Sequence, residues 1–194
     1  MVETNDRRLP VGIQSFEEIR KNGYLYVDKT DIIWQLVNRG KTYNYLIRPR
    51  RFGKSVLVDT LESYFLGKKE LFEGLKIMQM ETEWVKRPVI RLDMSRAGAE
   101  PETLRSYLDI TFDRLEEEYG ITPKPTARLA DRFNAIIVGA YEQTGQQVAI
   151  LIDEYDSPLQ HSWKTPQHEA CTAIYREVFA ILKADDKYEK FVFI

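Results

Sequence analysis

The sequence predicts an α/β fold, a mainly parallel β-sheet covered by helices. Three observations carry that expectation. Strand-like and helix-like segments alternate along most of the chain, the pattern of strands joined by helical crossovers. One segment, Val148-Ala149-Ile150-Leu151-Ile152, is apolar without a break, as in a strand buried on both faces of a parallel sheet. A basic turn ending in Gly53-Lys54-Ser55 lies between a strand-like and a helix-like segment.

The elements follow in order. Asn22-Gly23 is a turn signal, and Tyr24-Leu25-Tyr26-Val27 after it reads as a short strand. Thr30 or Asp31 can cap a helix whose apolar face is Ile32, Ile33, Leu36 and Val37, closed by Gly40. Tyr43-Asn44-Tyr45-Leu46-Ile47 is aromatic and β-branched, a strand. Residues 55–65 form a helix burying Val56, Leu57, Leu61, Tyr64 and Phe65. Pro88 leads into the strand Val89-Ile90-Arg91-Leu92. Helices are expected over 102–119, with Leu104, Leu108, Leu115 and Tyr119 on one face, and over 126–141, with Leu129, Phe133, Ile136 and Ile137. The apolar strand 148–152 follows, then a helix over 167–182 and a final strand from Phe191 to Ile194.

Composition narrows the class. The chain has 194 residues, 28 basic and 30 acidic side chains, and a net charge of −2. At 43 % hydrophobic and 30 % charged it is an ordinary globular chain, which excludes collagen-like and low-complexity classes. The near-neutral balance gives no indication of nucleic acid as a partner, although it leaves that partner open. The single cysteine, Cys171, excludes an internal disulfide framework and a multi-cysteine zinc site, and fits a reducing compartment. No apolar run reaches the roughly 20 residues that span a bilayer. No apolar core follows the charged first residues as in a signal peptide. A cytoplasmic protein without a membrane partner is expected.

Arg48-Pro49-Arg50-Arg51-Phe52-Gly53-Lys54-Ser55 is the most informative stretch. A helix N-terminus offers unpaired N–H groups and the positive end of the helix dipole, which suits phosphate. Gly53 lets the backbone approach phosphates, Lys54 places a cation between the terminal phosphates, and Ser55 offers a hydroxyl to a magnesium ion. The common pattern begins with glycine where this chain has Arg48, and Pro49 has no N–H to donate. Arg50 and Arg51 supply compensating charge. Arg50, Arg51, Phe52, Gly53, Lys54, Ser55 and Val56 are therefore the candidate nucleotide-binding residues. A plain basic turn preceding a helix is the alternative reading.

About 100 residues later the apolar strand ends in Asp153-Glu154. Ionised carboxylates at the end of a buried strand need a cation or hydrogen bonds to offset their desolvation. Asp153 is read as a magnesium ligand with Ser55. Glu154 is read as the base that orients and deprotonates the attacking water. Lys54 and Glu154 are the candidate catalytic residues, with ATP and Mg²⁺ as the cofactors.

These segments, together with Leu9-Pro10-Val11-Gly12-Ile13-Gln14-Ser15-Phe16, Tyr26-Val27-Asp28-Lys29-Thr30, Leu71-Phe72-Glu73-Gly74-Leu75 and Ile152-Asp153-Glu154-Tyr155-Asp156-Ser157-Pro158-Leu159, resemble the AAA-ATPase-like family of bacterial P-loop proteins. The resemblance covers nearly the whole chain, and the Arg-Pro-Arg-Arg-Phe-Gly-Lys-Ser form is specific to that family. It implies a three-layer P-loop NTPase core with an extra strand between the two Walker strands. Residues 1–40 would pack near the nucleotide pocket, and residues 41–194 would form the ATPase core. Family members often carry a C-terminal PD-(D/E)XK nuclease-like domain, which these residues do not include. Phe191 to Ile194 would begin the sensor strand, so the sequence reads as part of a longer protein, truncated at that strand. The function implied is magnesium-dependent ATP binding, with hydrolysis to ADP and phosphate in the full-length protein. A nucleotide-gated switch that hydrolyses little, or a small-molecule kinase, are the competing classes. Oligomerisation, with a neighbouring subunit supplying an arginine, stays open.

Other residues read as follows. Asp28 and Lys29 are candidates to flank the nucleotide, against a packing role. Asp156 reads as a cap rather than a member of the site, and Asp93 as a strand end of the kind where open parallel sheets bind ligands, with a site role as the lesser reading. His161 and His168 read as surface residues, Cys171 as a core thiol, and Glu116-Glu117-Glu118 as a solvated helix end.

Overall fold

The structure is a computed structural model that describes residues 8–47, 52–122, 124, 127–183 and 186–194. The chain divides into two compact units, one formed by Met1–Lys41 and Leu46–Lys86, the other by Thr42–Tyr45 and Arg87–Ile194.

The first unit is helical among its described residues. Helix α1 (Phe16–Lys21) starts at Ser15, whose hydroxyl accepts the Glu18 N–H. Helix α2 (Thr30–Arg39) ends at Gly40, and helix α3 (Lys54–Phe65) begins at Gly53. Two short 3₁₀ turns follow, Lys69–Phe72 and Lys76–Gln79. Aromatic rings fill the interior. Phe16 meets Tyr26 and Phe72 at centroid distances of 5.1 and 4.9 Å, and Trp84 meets Tyr64 and Phe72 at 5.8 and 5.1 Å. Such contacts add directional preference to plain apolar burial. Arg20 ties the turn down, its Nε and Nη2 donating to the Leu71 and Glu73 carbonyls at 2.7 and 2.6 Å.

The second unit holds the sheet. Its strands are β1 (Tyr43–Asn44), β2 (Val89–Asp93), β3 (Val148–Asp153) and β4 (Glu189–Phe193). The order is β1-β4-β3-β2 and every pairing is parallel. β4 thus lies between β1, which precedes the basic turn, and β3, which ends in the acid pair. This is the extra strand that the family resemblance implied. Helices α4 (Pro101–Glu118), α5 (Leu129–Thr144), α6 (Ser157–Ser162) and α7 (His168–Phe179) complete the unit.

Alternation along the strands sorts two faces. Ile90, Leu92, Val148, Ile150, Ile152 and Val192 join a buried cluster with Leu104, Leu108, Phe112, Phe133, Ile137, Ile174 and Val178 of α4, α5 and α7. Ala149, Leu151, Phe191 and Phe193 point the other way and are buried as well. Every residue of β3 is buried, which explains its unbroken apolar run.

Three expectations need correction. Residues 24–27 form no strand: the Tyr24 N–H bonds back to the Ile19 carbonyl and the Leu25 N–H to that of Arg8, while Leu25 and Val27 face solvent. The strand expected over 43–47 pairs only at Tyr43 and Asn44; Tyr45 and Ile47 are exposed. Of the run read as a solvated helix end, Glu117 and Glu118 are exposed, but Glu116 is not. It is 3 % exposed and receives Arg132 Nε and Nη2 of α5 on its two oxygens at 2.8 and 2.7 Å. A fork of that kind offsets the desolvation that a lone acid would suffer.

Candidate functional site

The basic turn enters the described residues at Phe52. Arg48, Pro49, Arg50 and Arg51 lie outside them, and so do the readings of Arg50 and Arg51 as phosphate contacts. Phe52 is exposed. Gly53 occupies the N-cap of α3 with φ +74° and ψ +24°, left-handed backbone that suits a residue without Cβ. Among the described residues a Cβ there would meet nothing within 4 Å, so what they leave is a conformational requirement. The Gly53 carbonyl already accepts the Leu57 N–H at 3.1 Å. No acid stands in the first turn of α3, and Gly53 at its N-cap has no side chain to cap it. Its positive end therefore keeps its preference for an anion. Lys54, Ser55 and Val56 sit half-buried in that turn.

Packing sets the helix behind the turn. Val58 and Leu61 are fully buried, and Asp59 accepts the Phe16 N–H at 2.7 Å. Asp28 is engaged in the same unit. One oxygen accepts the Thr30 N–H and hydroxyl at 2.9 and 2.7 Å, the other the Lys76 N–H at 2.8 Å. Burial acts to raise this carboxyl, and these bonds from Thr30 and Lys76 outweigh it, leaving it below its ordinary value. Asp28 is thus a clamp on the start of α2.

The acid pair closes β3. Asp153 is 5 % exposed and, by alternation, shares the face of Ala149 and Leu151. Its Oδ1 accepts the Glu154 N–H at 2.9 Å. Glu154 is half-buried and adopts φ +49°, uncommon for a residue with a Cβ and typical of functional turns. The Glu154 carbonyl accepts the Ser157 N–H at 2.9 Å, and the next carbonyl, of Tyr155, receives the Tyr175 hydroxyl at 2.7 Å. The Tyr155 ring packs against Tyr175 and Phe179 at 5.2 and 5.1 Å. Sequence reasoning did not find Tyr175. It sits on a buried helix face, and nothing in its spacing marks a partner 20 residues earlier.

The remaining residues take structural places. Asp93 pairs in register with Asp153, but its Oδ1 accepts the Ser95 N–H and hydroxyl at 3.2 and 2.6 Å, and its Oδ2 faces Arg96 Nε at 3.1 Å. Asp156 holds the N-cap position of α6, and its carboxylate takes Gln160 Nε2. His161 is exposed on the Ser157 carbonyl, His168 is half-buried against the Ser162 hydroxyl, and Cys171 belongs to the core.

A glycine-opened helix carrying Lys-Ser, and an acid pair ending a buried strand beside an inserted strand, suit a nucleotide-binding protein. The family model described as "Predicted AAA-ATPase" matches residues 10–194. The chain belongs to the AAA-ATPase-like family. Family membership makes a nucleotide the expected class of ligand for this AAA-ATPase-like chain. It is also similar, at 33 % identity over 193 residues, to a protein of Azotobacter chroococcum mcd 1 described as "Uncharacterized protein in vnfD 5'region". That match covers 97 % of this chain and 37 % of the relative, so the chain spans little more than a third of the relative's length. No solved structure matches. Among the described residues, no helix is long and apolar enough to cross a membrane.

Proposed function

We propose that the chain binds ATP with magnesium, and that the whole protein hydrolyses ATP to ADP and phosphate. The observation that carries this reading is the start of α3: a left-handed Gly53, Lys54 and Ser55 in the first turn, and no acid there to compete for the helix end. Lys54 and the turn's N–H groups stabilise charge that develops on the transferred phosphoryl group. Arg50 and Arg51 add positive charge, and Phe52 and Val56 border the bound nucleotide.

Ser55 and Asp153 fit a magnesium ion by chemistry, since a hydroxyl and a carboxylate are the hard oxygen donors that ion prefers. Such an ion would neutralise phosphate charge. Glu154 accepts the proton of the attacking water. As domain organisation we propose that residues 1–40 serve as an extension near the nucleotide and residues 41–194 as the ATPase core. A cytoplasmic location belongs to the same proposal.

Two substitutions test the roles. Lys54→Ala should weaken ATP binding at least ~100-fold in calorimetric titration, with the circular dichroism spectrum unchanged. Glu154→Gln should leave binding intact and stop phosphate release. Equal ATP affinity in wild type and Lys54→Ala would overturn the assignment of the turn.

A further inference from the structure

We propose that Tyr175 is a positioning residue for the acid turn: its buried hydroxyl, by holding the Tyr155 carbonyl, fixes the backbone that carries Asp153 and Glu154. The inference rests on the ATP-site reading and adds a residue to it.

Glu154 turns left-handed although it carries a Cβ, and such a conformation persists only where the surroundings over-determine it. Among the hydrogen bonds around it, three bear on the backbone. Asp153 Oδ1 to the Glu154 N–H and the Glu154 carbonyl to the Ser157 N–H are local, made between residues at most three apart. The third comes from α7, where the Tyr175 hydroxyl donates to the Tyr155 carbonyl at 2.7 Å. It ties the turn to a different element, together with the packing of the Tyr155 ring on Tyr175 and Phe179. Tyr175 is 3 % exposed, with its ring against Tyr155 and Phe179 at 5.2 and 5.3 Å. Burial pushes its phenol far above the ordinary range, so the hydroxyl keeps its proton and remains a donor. A phenylalanine would retain the ring packing and leave a backbone carbonyl without that donor. The turn then relaxes, and the Glu154 carboxylate moves with it.

The test compares wild type, Tyr175→Phe and Tyr119→Phe in the whole protein, to which hydrolysis is assigned. Tyr119 is a control: its hydroxyl meets the Val89 carbonyl at 3.5 Å, at the opposite end of β2 from Asp93. Tyr175→Phe should keep ATP affinity within about twofold and lower kcat about tenfold, the scale of a misplaced catalytic group. Amide hydrogen exchange at residues 154–157 should quicken. Tyr119→Phe should change none of these. Wild-type kcat in Tyr175→Phe overturns the inference, and so do kcat and affinity that fall together. Should wild type bind no ATP, the site reading itself fails. Exchange at 154–157 needs no nucleotide and still decides whether Tyr175 holds the turn: an unchanged rate overturns that.

Discussion

At Gly53 and at Glu154 the backbone makes the same kind of turn, with φ of +74° and +49°, but the two are held by different means. Gly53 has no Cβ, so left-handed backbone costs it little, and among the described residues nothing crowds it. The turn before α3 is thus set by residue type, and its neighbour Phe52 lies at the surface. Glu154 adopts its conformation against its own side chain. It is held by a buried strand behind it, by Ser157 ahead and by Tyr175 from another helix. A phosphate-binding turn can be specified by a few adjacent residues. An acid turn that must aim two carboxylates is specified by packing, and its tolerance to change depends on residues far away in sequence.

The largest effect that sharpens this contrast is expected in the frame behind the acid turn. Arg132 joins α5 to α4 through Glu116, Asp113 and Asp109 at 2.7, 2.6 and 2.8 Å. Asp109 and Asp113 have side chains 52 % and 71 % exposed, so their pairs contribute little. Glu116 decides the outcome, because its side chain is 4 % exposed. Arg132→Ala leaves that carboxylate buried and unpaired, a loss of about 3–5 kcal/mol in urea denaturation. A loss below ~1 kcal/mol would show that the second unit does not depend on side-chain cross-links, and the contrast would break.

Gly53→Ala comes next. Among the described residues the added methyl meets no atom within 4 Å, and the left-handed backbone resists it at about 1–2 kcal/mol. Thermal unfolding should show a small shift. ATP affinity should fall further than stability does, because the turn can relieve its strain by moving its N–H groups. Unchanged affinity would mean that the left-handed geometry at Gly53 is not what the nucleotide needs.

The same contrast accounts for what was legible in the sequence. The parallel sheet was readable because β3 is buried along its whole length, and a short, fully apolar, β-branched run suits a strand covered on both faces. The places of Gly53-Lys54-Ser55 at the head of α3 and of Asp153-Glu154 at the end of β3 were readable from residue type and the flanking apolar pattern. Residues 24–27 misled, since aromatic and β-branched residues favour strands only where an edge exists to pair with. Helix α1 is six residues long, too short for periodicity, although Ser15 and Glu18 carry the spacing of a capping box. Arg132 on Glu116 and Tyr175 on Tyr155 were hidden for one reason. Each joins residues 16 or 20 apart on different elements, and a single sequence gives no cue to such pairs.

The smallest effect lies in the first unit, at Asp28. Its carboxylate accepts two backbone N–H groups, from Thr30 and Lys76, and the Thr30 hydroxyl. Asp28→Asn keeps one carbonyl oxygen for Thr30 and presents an amide to the Lys76 N–H. One bond of three is lost, about 1 kcal/mol at neutral pH. The pH dependence gives the sharper test. The folded carboxyl lies below its ordinary value, so the stabilisation is present above the unfolded pKa of about 3.9 and is lost as pH falls through the lower, folded value. The difference in unfolding free energy between wild type and Asp28→Asn should therefore stay constant from pH 7 to about 5 and shrink as the solution is acidified below ~4. Constancy of that difference down to pH 2 would mean that the charge of Asp28 contributes nothing and that neutral hydrogen bonds alone clamp α2.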